Sequence, residues 1–242
     1  MNSSTEVVWA VVPIKSFSQA KTRLSSVLTS DDRQRLACAM ADDVLSAIRA
    51  SGVADLLCIL TDRGSPAIDE LAMRYGALAL LDRQVAAVPS LNAAIAGVAE
   101  LAHAKGADTV MIVHSDLPLL NATALVNVMQ TWHSLPASRR AVLARSKDGG
   151  TSVLLVNHAK SFAYQFGAGS FALHRAECAR LEHTIATIEQ LPTVLDIDTP
   201  DDFELLRLAA QAGRCGPHTT ALIAALYPFE SMHAMEPALC AN

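Results

Sequence analysis

The chain has 242 residues, 51% of them hydrophobic and 18% charged, with a formal net charge of −5 and five cysteines. That length sets an expectation of one domain with room for a sizeable core, and the apolar content excludes disorder over most of it. The acidic balance excludes a general nucleic-acid binder, which needs a basic face, but leaves room for small anionic substrates held by a local cluster of cations.

The run Val7 to Ile14 and the run Val110 to Val113 are strand length, far short of the roughly 20 apolar residues that cross a bilayer. No membrane contact is therefore expected. The N-terminal Met1-Asn2-Ser3-Ser4-Thr5-Glu6 has neither a basic region nor a secretory pattern. Cys38, Cys58, Cys178, Cys215 and Cys240 are scattered and never spaced as Cys-x-x-Cys. They read as small buried hydrophobes or free thiols, so the expected location is the cytoplasm.

Taken in chain order, short apolar runs alternate with helical stretches, the signature of an α/β fold with a mostly parallel sheet. Val7 to Ile14 is a continuous apolar run, as in a strand covered on both faces. A helix follows from about Ser30 to Ala50, with Leu36, Met40, Val44 and Ile48 on one stripe and Gly52 past its end. Leu56 to Leu60 is a strand. Ser65-Pro66 then caps a helix that reaches Tyr75 and stops at Gly76.

Ala77 to Leu81 is a strand, Leu91 to Ala104 a helix, and Thr109 to Val113 a strand that runs into His114-Ser115-Asp116. A helix from about Asn121 to Trp132 and strands near Ala141–Ala144 and Thr151–Val156 come next. Beyond Gly169-Ser170 a helix extends to about Arg180, and short strands are expected near Thr184–Ile188 and Thr193–Ile197. Thr199-Pro200-Asp201-Asp202 opens the last long helix with a cap, a first-turn proline and a capping-box-like acid. The expected division is a domain over 1–213 and an appendage over 214–242, with one short helix at Thr220–Leu226, partial disorder, or a role at an oligomer interface.

Five segments carry candidate chemistry. The loop after the first strand holds Lys15, Lys21 and Arg23 and no acid. Ligands of doubly wound folds sit at the carboxyl ends of strands, so these cations are placed for a triphosphate, which Arg grips bidentately and Lys meets as a point charge. A solvated basic loop is the plain alternative. Asp116 follows an apolar strand, where Mg²⁺ is held by one or two carboxylates plus substrate phosphates; a turn acid capping local amides is the alternative.

In Asp196-Ile197-Asp198, residues two apart on a strand face the same way, so both acids can point together towards a cation, and either can be the metal ligand. Asp198 can also be read simply as part of the helix entry. Asp148-Gly149-Gly150-Thr151 and Phe166-Gly167-Ala168-Gly169-Ser170 are glycine-paired loops whose amides can approach an anion, the second at a helix start. His174 on that helix can reach the same anion or serve only packing. There is no His-x-x-x-His pair, no Gly-x-Ser-x-Gly elbow, no Walker motif and no dinucleotide fingerprint. A phosphate monoester attacking a nucleotide's α-phosphate is already an anion, so the missing general base is consistent with nucleotidyl transfer.

In this order the chain resembles the 2-phospho-L-lactate guanylyltransferase family of coenzyme F420 biosynthesis. The resemblance is carried by Val12-Pro13-Ile14-Lys15, Ala20-Lys21-Thr22-Arg23-Leu24, Ser115-Asp116-Leu117-Pro118-Leu119, both glycine loops and Asp196-Ile197-Asp198-Thr199-Pro200-Asp201-Asp202. It spans about residues 7 to 210. It implies a single-domain, three-layer, Rossmann-like fold of the nucleotide-diphospho-sugar-transferase type. The implied reaction moves GMP from GTP to the phosphate of 2-phospholactate, phosphoenolpyruvate or 3-phosphoglycerate.

By resemblance, Lys15, Lys21 and Arg23 face the triphosphate, Asp116 with Asp196 or Asp198 holds Mg²⁺, and Lys15, Lys21 and Asp116 are the catalytic set. Asn92 contacts the nucleotide, while Thr151, Gly167, Gly169 and Ser170 cradle the acceptor. Gly-Ala-Gly stands where many relatives have Gly-Pro-Gly. Two rivals remain at this stage: a cytidylyltransferase acting on a polyol phosphate or molybdopterin, and an inactive nucleotide-binding module. A homodimer is open.

Overall fold

The structure, a computed structural model, describes residues 6–17, 20–136 and 138–228. Its centre is a seven-stranded sheet in the order β3-β2-β1-β4-β6-β5-β7. The strands are β1 (Val8–Pro13), β2 (Leu56–Thr61), β3 (Leu78–Leu81), β4 (Thr109–Val113), β5 (Arg140–Arg145), β6 (Thr151–Asn157) and β7 (Thr184–Ile188). β1 runs parallel to β2 and β4, β2 to β3, and β5 to β7. β6 is antiparallel to both of its neighbours, so the sheet is mostly parallel with one reversed strand.

The expected strand boundaries hold within a residue or two up to β7. The strand expected over Thr193–Ile197 does not form. Pro192 sits in the first turn of a short helix, α7 (Leu191–Val194), and the chain from Leu195 to Asp198 is irregular. A proline pre-set for a helix start, with no ladder partner beyond β7, outweighs the apolar and β-branched content of the segment.

β1 shows why the fold has three layers. Val8, Ala10 and Val12 pack against α1 (Ser30–Ser51), α2 (Pro66–Tyr75) and α5 (Ala122–Ser134) on one face. Trp9 and Val11 pack against α4 (Leu91–Ala104) and α6 (Ser170–Arg180) on the other. Alternate side chains leave a strand on opposite faces, and both sets are buried, so helices are needed on each side. The helix ends follow their capping chemistry. Thr29, Ser65, Ser90, Asn121 and Thr199 each accept an amide of the first turn through a side-chain oxygen. Gly52 and Gly76 close α1 and α2 in the left-handed region.

Two features were not read from the sequence. A one-turn helix, α3 (Asp82–Val85), lies on α4 at Gly97, where an added Cβ would fall 1.9 Å from the Val85 carbonyl oxygen. Glu6 gathers three donors from separate elements: Thr109 Oγ1 at 2.7 Å, Trp132 Nε1 at 2.9 Å and Arg140 Nη2 at 2.7 Å. The Arg140 guanidinium also lies 4.3 Å over the Trp132 ring.

A third apolar cluster lies beside the sheet. It joins Leu36 and Met40 of α1, Phe203 and Leu206 of α8 (Pro200–Gln211), and Leu222 and Ile223 of α9 (Pro217–Leu226) to Leu24, Leu119 and Ile197. The expected tail helix is therefore present and three residues longer at its start, and it packs on the core. The remainder of the tail, 229–242, lies outside the described residues.

Candidate active site

β1 and β4 are adjacent and parallel, but the chain continues from β1 to one side of the sheet and from β4 to the other. Such a switch point opens a crevice at the carboxyl ends of the strands. The loop after β1 and the Asp116 turn meet there. Lys21 Nζ donates to Asp116 Oδ2 at 2.6 Å and to Asp198 Oδ1 at 2.9 Å, bringing together three residues far apart in the chain. Lys21 adopts a left-handed conformation at φ 53° just before a 3-10 turn, Thr22–Leu24, whose Leu24 is fully buried. That anchor directs the lysine inward.

The charges settle one another. Burial pulls the Lys21 ammonium down, while Asp116 and Asp198 push it up, and the net shift is upward. Burial raises the Asp116 carboxyl, but the Lys21 charge and hydrogen bond outweigh it and leave the acid below the usual range. Asp196 is pushed up to about 6, first by burial and then by the negative charge of Asp116. Asp196 and Asp198 thus share Asp116 as a neighbour from irregular chain rather than from a strand face.

Lys15 and Arg23 are exposed on the same loop. Lys15 lies close enough to Asp82 to lower that carboxyl, although burial leaves it raised overall. Ser18 and Gln19, between the basic residues, lie outside the described residues.

The glycine loops form a second wall. Thr151 N donates to Ser170 Oγ at 2.9 Å, Ser170 Oγ lies 3.4 Å from Thr151 Oγ1, and Phe171 N donates to Gly149 O at 3.3 Å. Asp148 is exposed and folded onto its own turn, accepting from Gly150 N at 2.8 Å and from the Ser146 hydroxyl. The Ser146 bond, working against partial burial, holds it below the ordinary carboxylate range. It acts as a turn former, not a free acid. Gly167, at φ 135°, occupies a region that only glycine visits easily. The exposed amides of Gly167, Ala168 and Gly169 meet no protein acceptor among the described residues.

His174 and Asn92 hold this wall from behind. Gln165 N donates to His174 Nε2 at 3.0 Å, so Nε2 is an acceptor and the neutral ring carries its proton on Nδ1, 2.9 Å from Thr151 Oγ1. The ring is fully buried, and burial lowers its pKa to about 4. His174 therefore supports the loop and does not reach an anion. Asn92 Oδ1 accepts from Phe166 N at 2.7 Å, and its Nδ2 donates to Phe166 O at 3.2 Å. Both ends of that amide are committed to one backbone unit beside Gly167.

Phe166 itself lies edge-on to His174 at 4.6 Å and tilted against His114 at 5.3 Å. Sequence reasoning missed this ladder and the Asn92 clamp. Their partners are distant in the chain, and an Asn early in a helix looks like a cap.

Among the described residues, no set of three or more His, Cys, Asp or Glu is drawn tightly enough to hold a metal, and the cation between Asp116 and Asp198 is Lys21. The donors nonetheless suit a hard divalent ion. Asp116 Oδ1 is buried without a hydrogen-bond partner, and Asp196 and Asp198 add only carboxylate oxygen, the donor type Mg²⁺ takes.

The family model for guanylyl transferase CofC-like proteins matches residues 8–214. A phosphoenolpyruvate guanylyltransferase from Sphaerobacter thermophilus is 33% identical over 84% of this chain and 94% of its own. A 3-phospho-D-glycerate guanylyltransferase from Phenylobacterium zucineum is 30% identical over 90% and 95%. In fold, a nucleotide-diphospho-sugar transferase solved from Desulfovibrio desulfuricans G20 superposes with a TM-score of 0.70 over 91% of this chain and 98% of that one, at 15% identity. With a family model matched over residues 8–214 and relatives 30–33% identical over most of both chains, the chain belongs to the CofC-like guanylyl transferase family.

Proposed function

We propose that this enzyme transfers GMP from GTP to the phosphate of a small phosphorylated three-carbon acid and releases pyrophosphate, a step of coenzyme F420 biosynthesis. The observation that carries the reading is the meeting of Lys21, Asp116 and Asp198 at the switch point, opposite the Thr151–Ser170 wall. One acceptor phosphate oxygen forms a bond to the α-phosphorus of GTP as the bond to the β-phosphate's bridging oxygen breaks. The acceptor is an anion already, so positioning and charge neutralisation carry the rate.

Lys15, Lys21 and Arg23 bind the triphosphate, with Lys21 also fixing the two acids. Asp116, Asp196 and Asp198 would hold a divalent ion, expected to be Mg²⁺. That ion, when bound, neutralises charge developing on the phosphates. Gly167 and Gly169 offer exposed amides to the acceptor's phosphate and carboxylate, while Thr151 and Ser170, both buried and bonded to one another, hold the loop that presents those amides. His174 donates to Thr151 Oγ1 through Nδ1, which ties the helix behind the wall to that loop.

Among family members the acceptor varies, as the two relatives' names show, so the class is 2-phospholactate, phosphoenolpyruvate or 3-phosphoglycerate. The test is pyrophosphate release with GTP or CTP, in the presence of Mg²⁺, against each of the three acids. Release with GTP and one acid is the expected result. Release with none sinks the reading, and preference for CTP transfers it to the cytidylyltransferase rival.

A further inference from the structure

Nothing in the reaction outlined above uses the segment from Cys215 to Tyr227, which lies beyond the span matched by the family model. Yet it is tied directly to the site. Gly216 N donates to Pro118 O at 2.9 Å, two residues from Asp116. Helix α9 has no cap of its own, because Gly216 supplies no side chain. The cap comes from α1 instead. The Asp43 carboxylate, 2% exposed, accepts from His218 N at 2.9 Å and Thr219 N at 2.8 Å. An acid at the positive end of a helix, bonded to two first-turn amides, is a strong fastening.

Gly216 is what allows that approach. A Cβ there would fall 2.2 Å from Asp43 Cγ and 2.5 Å from Asp43 Oδ1. Its φ of −61° suits any residue, so the demand for glycine is steric, with Asp43 supplying the nearest atoms.

Two further ties reach the other halves of the site. Leu222 and Ile223 share one apolar cluster with Leu24, beside the basic turn, and with Ile197, between the two acids. Tyr227 stacks edge-on at 5.7 Å on Phe203, and its hydroxyl donates to Val27 O at 3.3 Å. The strap is thus bonded to the Asp116 turn and shares one apolar cluster with Leu24 of the Lys21 turn and Ile197 of the Asp196–Asp198 segment, the three pieces whose relative placement decides how the acids face one another.

We propose that the Cys215–Tyr227 strap is a positioning element of the transfer site, with Gly216 and Asp43 as the residues that set it. This rests on the reading that Asp116 is a metal ligand. Through the Pro118 carbonyl the strap fixes the height of the Asp116 turn above the sheet edge, and through Leu24 and Ile197 it fixes the opposing walls. A shift of the strap alters the spacing of the acids without removing any catalytic group.

The test measures Mn²⁺ binding by electron paramagnetic resonance on the full chain with GTP present, alongside kcat, KM and Tm. Gly216→Ala is expected to weaken Mn²⁺ binding and lower kcat by about tenfold each, with little change in KM for the acceptor, since misplacement by a fraction of an ångström carries such costs. Asp43→Asn, which keeps the shape but weakens the cap, is expected to do the same more mildly and serves if Gly216→Ala does not fold. Leu71→Ala, a cavity in the remote helix α2, is expected to lower Tm and leave Mn²⁺ affinity unchanged. Wild-type Mn²⁺ affinity and kcat in folded Gly216→Ala overturn the proposal, as does an equal loss of affinity in Leu71→Ala. Absence of Mn²⁺ binding by the wild type overturns this proposal together with the metal reading, whereas binding untouched by Gly216→Ala overturns this one alone.

Discussion

Single side chains in this protein are set by partners remote in sequence, and two of them give sharp tests. Asp116 is held at 2.6 Å by Lys21 while its other oxygen has no hydrogen-bond partner. Asp116→Asn keeps the shape but removes the charge, so turnover is expected to fall by about a hundredfold or more in a protein that still folds, with Tm lowered by the loss of the Lys21 ion pair. Turnover near wild type in that variant, by pyrophosphate release, would refute the metal role.

Asn92 separates two readings of one residue. Resemblance implies a nucleotide contact, whereas both ends of its amide hold the Phe166 backbone. Asn92→Ala is therefore expected to raise KM for the phosphorylated acid by about tenfold, because freeing the Phe166 backbone loosens the loop amides beside it and a loss of about 1.4 kcal/mol is tenfold. KM for GTP should change little. The opposite pattern in steady-state kinetics restores the nucleotide contact.

Helices and strands record how local chemistry and packing divide the work. At Gly97 the two oppose each other. Alanine exceeds glycine in helix propensity by about 1 kcal/mol, yet its Cβ would lie 1.9 Å from the Val85 carbonyl oxygen. That contact is with backbone, which cannot swing aside, so Gly97→Ala is expected to lower Tm by several degrees, consistent with a cost of about 1–3 kcal/mol. A Tm at or above wild type would mean that α3 yields freely.

Elements governed by one or two residues were legible from the chain alone. The Ser65 and Thr199 caps and the stops at Gly52 and Gly76 lie where the sequence puts them. Over Thr193–Ile197 the β-branched and apolar residues suggest a strand, while Pro192 and the lack of a ladder neighbour decide otherwise. In the site, the basic loop and each acidic segment could be named singly. That Lys21 bridges Asp116 and Asp198 depends on strand order, and no local pattern encodes strand order.

At the scale of the whole molecule, the buried imidazole of His174 couples stability to pH. Its folded pKa is lowered by burial to about 4, against an ordinary value of 6.5. The unfolded chain thus binds more protons between those values, and stability falls as pH drops through that window. The slope follows the sign of the proton difference: full stability above pH 6.5, progressive loss down to about pH 4, and no further loss from this group below. The total is roughly 3 kcal/mol. Denaturant melts at pH 7.5, 5.5 and 4.5 should show the decline, and His174→Gln should flatten it while starting from lower stability. An unchanged slope in that variant would assign the acid sensitivity elsewhere.

The Glu6 junction has a practical corollary. A single carboxylate just ahead of the first strand neutralises Arg140 and satisfies the Trp132 indole and the Thr109 hydroxyl, binding β4, α5 and β5 into one corner. Trimming the chain past that point strips three separate elements of a shared anion and leaves a largely buried guanidinium facing a ring and two carbonyls. The loss is on the order of 2–3 kcal/mol, a large fraction of what holds a domain of this size together. Tags and cleavage sites therefore belong ahead of Glu6, and a shortened version lacking it would be a poor reference for every other variant.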